Sequence, residues 1–164
     1  MKKIFFFILL AVVFGSCSSI EDKSEKNVAV IEKYVQAVEN LDFEIMGEML
    51  DDSYVGIGPS YDDAVDKTGA IVNWKFNVEN LYKSIKYSKS KSIAINIESG
   101  ENEGEWVSNW AELTIVFKSE EDVTILANTI YQLKNGKIVK SFTFYNEADV
   151  LEQLGMVFVN ANSI

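Results

Sequence analysis

The chain has 164 residues, with 25 Asp and Glu against 15 Lys and Arg and a formal net charge of −10. A surface this acidic repels phosphate backbones, which argues against nucleic acid as a partner. His is absent and Lys supplies every positive side chain, so imidazole is excluded as a base or metal ligand, and guanidinium as a bidentate clamp.

The chain opens with Lys2 and Lys3, then an uninterrupted apolar run from Ile4 to Phe14, then Gly15-Ser16-Cys17. The run is too short to cross a hydrocarbon core, which takes about 20 helical residues, and its order of charge, apolar stretch and small residues is that of a secretory signal. Cys17 is the single cysteine, so no disulfide can form within the chain. The small residues just before Cys17 resemble the lipobox of bacterial lipoproteins, with Phe14 in place of the more usual Leu. That resemblance implies cleavage before Cys17, a diacylglyceryl group on its thiol, and a membrane as partner. Two or more acyl chains make a stable anchor where one binds only marginally.

Residues 1–16 are therefore expected as a lipoprotein signal peptide, 17–26 as a flexible tether and 27–164 as one domain. Loss of Lys2 and Lys3 would take the formal charge from −10 to −12. The expected address is the cell envelope, lipid-anchored. Ser18, where some lipoproteins have Asp, resembles those passed on to the outer membrane. Glu21-Asp22 resembles a surface-export signal, or is simply part of a solvated linker.

From Asn27 the apolar residues Val28, Ile31, Val35, Val38 and Leu41, with Tyr34 on the same side, have helical spacing. Asp42 is placed to cap a second helix over 43–50. Tyr54-Val55 begins an extended segment that the GIGPS stretch (56–60) breaks. Thr68-Gly69 opens a third helix carrying Ile71, Val72, Trp74, Phe76 and Val78.

The period then changes. Ile93, Ile95 and Ile97 alternate with polar residues over 92–98, as in a half-buried strand. Residues 106–117 form a long strand with Val107, Ala111, Leu113, Ile115 and Phe117 on one face and Trp106, Trp110, Thr114 and Val116 on the other. A strand over 123–133 follows, then a hairpin at Asn135-Gly136, which suits a type I′ turn. A last strand covers 138–145, and 148–154 adds a helical turn. Helices followed by consecutive antiparallel strands predict an α+β fold with helices on one face of the sheet. Lys83, Lys86, Lys89 and Lys91 crowd the stretch 82–91, either to meet an anionic partner or to guard a sheet edge against pairing.

The stretch KYVQAVENLDFEIMGEMLDDSYVGIGP (33–59) resembles the opening of nuclear transport factor 2-like (SnoaL-like) domains. KTGAIVNW (67–74) resembles their third helix and YQLKNGKIV (131–139) their penultimate hairpin. The resemblance spans about 28–155. It implies a cone: N-terminal helices packed in a strongly curved, mostly antiparallel sheet, a cystatin-like α+β roll with a pocket at its open end. The family hosts isomerases, dehydratases, cyclases, hydrolases and inert binding domains, so fold does not give function.

Matched to the ketosteroid isomerase branch, Tyr34 falls on the oxyanion-hole Tyr. Ile57 falls where that branch has its base, and Asn128 or Thr129 where it has its second acid; neither position can ionise. The His–Asp and Arg–Asp mechanisms of other branches cannot be carried over to a chain without His or Arg. Asp51, Asp52 and Glu112 are the remaining candidate carboxylates. Glu112 could serve as a base with Tyr34 as oxyanion donor if its strand face lines the cone; otherwise it is a surface charge.

Tyr34, Tyr54, Trp74, Trp110, Tyr131 and Tyr145, with Asn128, are candidates to line a small-molecule pocket, core packing being the alternative for each ring. No Gly-rich phosphate loop and no His or Cys cluster is present, so neither a cofactor nor a metal is expected. The expectation is an envelope lipoprotein whose cone binds a small, largely apolar ligand. The rivals are a cyclase, isomerase or hydrolase using a pocket carboxylate and Tyr34, and a scaffold that dimerises through the sheet.

Overall fold

The computed structural model describes residues 17–160, and the expected signal peptide lies outside them. In chain order the elements are α1 (Cys17–Glu39), α2 (Phe43–Met49), β1 (Leu50–Ile57), β2 (Ala64–Asp66), α3 (Lys67–Asn80), β3 (Tyr82–Ile97), β4 (Gly104–Phe117), β5 (Asp122–Lys134), β6 (Lys137–Phe144) and α4 (Glu147–Gln153). The six strands form one curved, unclosed sheet in the order β2-β1-β6-β5-β4-β3. All neighbouring strands are antiparallel except β1 and β6, which are parallel. The helices and sheet together make the expected α+β architecture.

Helix α1 is the central packing element. Its periodic residues Ile31, Tyr34, Val35 and Val38 are buried against Val107, Tyr131, Leu133 and Ile138 of the sheet. Fully burying one such aliphatic side chain contributes about 1.5–3 kcal/mol, far more than helix propensity alone. The helix is longer than its apolar stripe suggests. It starts at Cys17 and so takes in the segment expected as a tether. That segment has no Gly or Pro, and its Glu and Lys residues are good helix formers. Further along the same helix, Lys23 Nζ and Asn27 Nδ2 reach the Glu105 carboxylate of β4 at 3.3 and 2.8 Å.

Leu41 ends α1 in the left-handed region (φ 56°), and the amides of Leu41 and Asp42 return to the carbonyls of Val38 and Ala37. This is a Schellman closure with Leu where Gly is usual. Asp42 then caps α2, its side chain accepting from the Ile45 amide at 3.0 Å. Asp66 caps α3 in the same way, accepting from Gly69 at 2.8 Å. At the Asn135-Gly136 turn both residues have positive φ, 53° and 74°, as a type I′ hairpin requires.

Strand β3 begins at Tyr82, ten residues before the alternation of isoleucines that marks it in the sequence. The lysine-rich stretch is its first part, and β3 is an edge strand, where lysines discourage pairing with another chain.

Candidate functional site

The inner face of the sheet is the odd-numbered face of β4 and β5. Asn109, Leu113, Ile115 and Phe117 of β4, with Val123, Ile125, Ala127, Thr129 and Tyr131 of β5, line a cavity of about 370 Å³. Tyr34 and Val38 of α1 and Trp74 and Asn77 of α3 close it from the helix side, while Tyr54, Ser141, Thr143 and Tyr145 complete the wall. A second recess of about 200 Å³ shares Tyr54, Gly58, Trp74, Asn77, Ser141 and Thr143 with it. We take this recess, which adds Asn73, Asp63 and, at the position matched to the isomerase base, Ile57, as the mouth of the cavity.

The face assignment decides the sequence candidates one by one. Tyr34, Tyr54, Trp74, Tyr131 and Tyr145 are all brought together at the cavity. Trp110, Glu112 and Asn128 are not among its lining; they sit together on the outer face of the sheet, beside Lys89, Leu126 and Phe144. The Glu112 carboxylate bonds the Lys89 ammonium at 2.7 Å, which makes it half of an exposed ion pair rather than a pocket base. Asn128 Nδ2 donates to Ser108 Oγ at 2.9 Å and to the Asn109 carbonyl at 3.0 Å, while its neighbour Thr129 points into the cavity. Asp51 accepts from Ser53, and Asp52 pairs with Lys67 at 2.8 Å; neither lines the cavity.

Several cavity residues carry no signal in the sequence. Tyr82 and Tyr87 fall in the lysine-rich stretch, and nothing in the strand pattern sets Asn109, Ser141 or Thr143 apart from their polar neighbours. Asn77 becomes visible only once α3 is known to run to Asn80.

Burial governs the electrostatics. Desolvation pushes the Tyr34, Tyr87 and Tyr131 hydroxyls far above the ordinary phenol range. At Tyr87 the Glu39 carboxylate, which accepts a bond from the Tyr87 backbone amide at 2.8 Å, adds to the effect. At Tyr34 hydrogen bonding with Trp74 pulls weakly the other way. Tyr54 is raised by burial and partly offset by its 2.7 Å bond with Ser141. These phenols stay protonated at any physiological pH, so each can donate a hydrogen bond to a guest and none can serve as a base there. Tyr34 and Tyr131 also brace each other edge to face, with ring centroids 5.7 Å apart.

The arrangement can hold an apolar body among rings and aliphatic side chains and orient it with neutral polar groups. Proton abstraction is another matter. Of the described residues lining the cavity and its mouth, Asp63 alone carries a charge, and it is an exposed residue of the second recess.

No protein-family model and no curated relative matches the sequence. Solved structures do match the fold. A candidate polyketide cyclase of Xanthomonas campestris pv. campestris superposes with a TM-score of 0.66 at 10% identity, covering 80% of this chain and 98% of its own. A candidate SnoaL-like polyketide cyclase of Shewanella putrefaciens gives 0.60 at 15% identity, covering 80% and 97%. An LEH-like epoxide hydrolase of M. tuberculosis gives 0.59 at 11% identity, covering 80% and 91%. At these identities the likeness is one of fold: the chain has the cone-shaped α+β architecture of SnoaL-like, nuclear transport factor 2-like proteins.

Proposed function

We propose that the cone is a binding pocket for a small, largely apolar molecule and that it works without a general base. The observation that carries this reading is the cavity of about 370 Å³ lined by aromatic and aliphatic side chains with neutral hydrogen-bonding groups. Its size lies within the range of small-molecule sites, and its make-up is theirs: apolar walls with a few placed polar groups. Buried phenols at Tyr34, Tyr87 and Tyr131 orient the guest as donors. Trp74 supplies a large apolar contact and, as the sole tryptophan of the cavity, a reporter. Titration followed by Trp fluorescence tests the reading, with quenching or a spectral shift expected in the parent chain and lost in Trp74→Phe.

The solved structures of similar fold include proteins described as cyclases and an epoxide hydrolase. An activity of that kind here would have to use Asp63 at the mouth, since Glu112 faces away. Turnover of a candidate substrate that survives Asp63→Asn and Tyr34→Phe would reject those roles.

The outer face of the sheet favours an added role in self-association. Ile93, Trp110, Leu126 and Phe144 are exposed there, Leu126 to 77%. A second copy of the chain packed on this face would bury them. Sedimentation of the parent chain and of Leu126→Lys distinguishes dimer from monomer.

Anchoring through a lipidated Cys17 completes the proposal and puts the cone in the cell envelope, outer membrane rather than inner. Among the described residues no helix is long and apolar enough to cross a membrane; two or more acyl chains on Cys17 would make a stable anchor. Mass spectrometry of the mature N-terminus is the direct test, with a Cys17→Ala chain that partitions like the parent contradicting the proposal.

A further inference from the structure

We propose that the guest of this cavity is an organic monocation, an ammonium group on an apolar body, with the body in the cone and the ammonium at the mouth beside Asp63. The proposal rests on the reading of the cone as a binding pocket and names the chemical class that pocket selects.

Charge is the first argument. Among the described residues no lysine lines the cavity or its mouth, and Asp63 is the one charged residue that does. Several lysines of neighbouring elements are engaged elsewhere: Lys83 with Glu120, Lys89 with Glu112, Lys67 with Asp52, and Lys118 with the Glu79 carbonyl. An anionic guest would give up its hydration and meet no cation in return. A cationic one meets a carboxylate whose backbone is fixed, since the Gly58 amide donates to the Asp63 carbonyl at 2.8 Å and the Asp63 amide to the Ser60 carbonyl at 3.1 Å. The same turn holds a second carboxylate outside the cavity lining, Ser60 Oγ donating to Glu147 at 2.6 Å. Tyr145 lines the cavity, and burial first, then the Glu147 and Asp63 charges, push its hydroxyl above the ordinary phenol range.

Ring chemistry is the second argument. Trp74 lines both the deep cavity and the mouth, and Tyr82 packs against it edge to face at 6.2 Å. The negative faces of such rings attract a cation, most strongly where water is partly excluded. Hydrogen bonding is the third. An ammonium has donors only and needs acceptors. Asn73 and Asn77 stand one helical turn apart on α3 and line the mouth with Ser141 and Thr143, whose hydroxyls bond Tyr54 and Thr129. Asp63, Trp74, Asn73 and Asn77 therefore line one recess at the side of a largely apolar chamber.

The test compares three probes of nearly equal shape on the purified full chain at pH 7: 4-phenylbutylamine, 4-phenylbutanol and 4-phenylbutanoate, titrated by calorimetry and Trp fluorescence. The amine is expected to bind about tenfold tighter than the alcohol, the scale of one partly desolvated cation–ring contact, and the carboxylate weaker than either. Asp63→Asn is expected to bring the amine down toward the alcohol while leaving the alcohol unchanged, a split that general damage to the fold would not produce. Glu101→Gln, in the turn between β3 and β4, controls for the overall negative charge and is expected to leave the preference intact. Equal binding of amine and alcohol would overturn the cation assignment and leave the pocket reading standing. So would a preference that survives Asp63→Asn, or one that Glu101→Gln removes equally. Failure of all three probes to bind would count against the pocket reading as well.

Discussion

The hydroxyls of Tyr54 and Ser141 lie 2.7 Å apart, joining β1 to β6 in the buried wall of the cavity. These two strands are the parallel pair of the sheet, and their ladder is interrupted between Leu50 and Val55, where the register shifts. The side-chain bond therefore ties the strands next to a gap in their backbone pairing. Gly56, two residues on, leaves room for it, since a Cβ there would meet the Tyr54 hydroxyl at 2.5 Å.

Removing one partner of this bond strands the other in a buried setting. Tyr54→Phe is expected to lower stability by about 1–2 kcal/mol, and the double variant with Ser141→Ala to lose less than the sum of the two single changes. Urea denaturation of the four chains measures the coupling. Strict additivity would mean that the bond contributes nothing.

Glu112 gives a sharp contrast. Its ion pair with Lys89 is exposed, and such pairs contribute little. Glu112→Gln is expected to change stability by less than about 0.5 kcal/mol and to leave guest binding untouched. A loss of binding in this variant would place the carboxylate in the site after all.

Gly58 sits where the chain turns from β1 toward the mouth, with φ at 98°. A Cβ there would drive into the Thr143 carbonyl of β6. Gly58→Ala is expected to cost more than about 1 kcal/mol and to weaken guest binding by loosening the mouth. Thermal melts and a titration of the same sample read both effects.

The buried phenols set an alkaline limit. Tyr34, Tyr87 and Tyr131 ionise near pH 10.0 when exposed, and in the fold burial holds them protonated well beyond that. Above pH 10.0 the unfolded chain sheds these protons while the folded chain keeps them, so stability falls as pH rises. Below it they add no pH dependence. Denaturation midpoints from pH 8 to 11.5 are expected to stay level and then drop, less steeply in Tyr131→Phe. A level profile throughout would mean that the rings are solvated.

Local chemistry carried much of this structure in the sequence. The stripe from Ile31 to Val38, the Asp42 cap and the Asn135-Gly136 turn each reflect a near-neighbour rule, and each forms. What the sequence left open was the sheet's inner face. In β4 both faces are apolar, Trp106, Trp110 and Val116 against Val107, Leu113 and Ile115, so alternation cannot say which faces the helices. The position of Glu112, Trp110 and Asn128 followed from that one choice. Strand β2 is three residues long and gave no pattern. Asp63 carries no signal in the sequence, because only the fold brings its loop beside Trp74 and Asn77.

The most direct test of the pocket is native mass spectrometry of the gently purified full chain beside a Leu113→Trp chain, in which an added ring occupies the cavity. A small-molecule mass is expected to accompany the parent chain and to be absent from Leu113→Trp at unchanged stability. A parent chain with no adduct, which also takes up none of the phenylbutyl probes, would contradict the account.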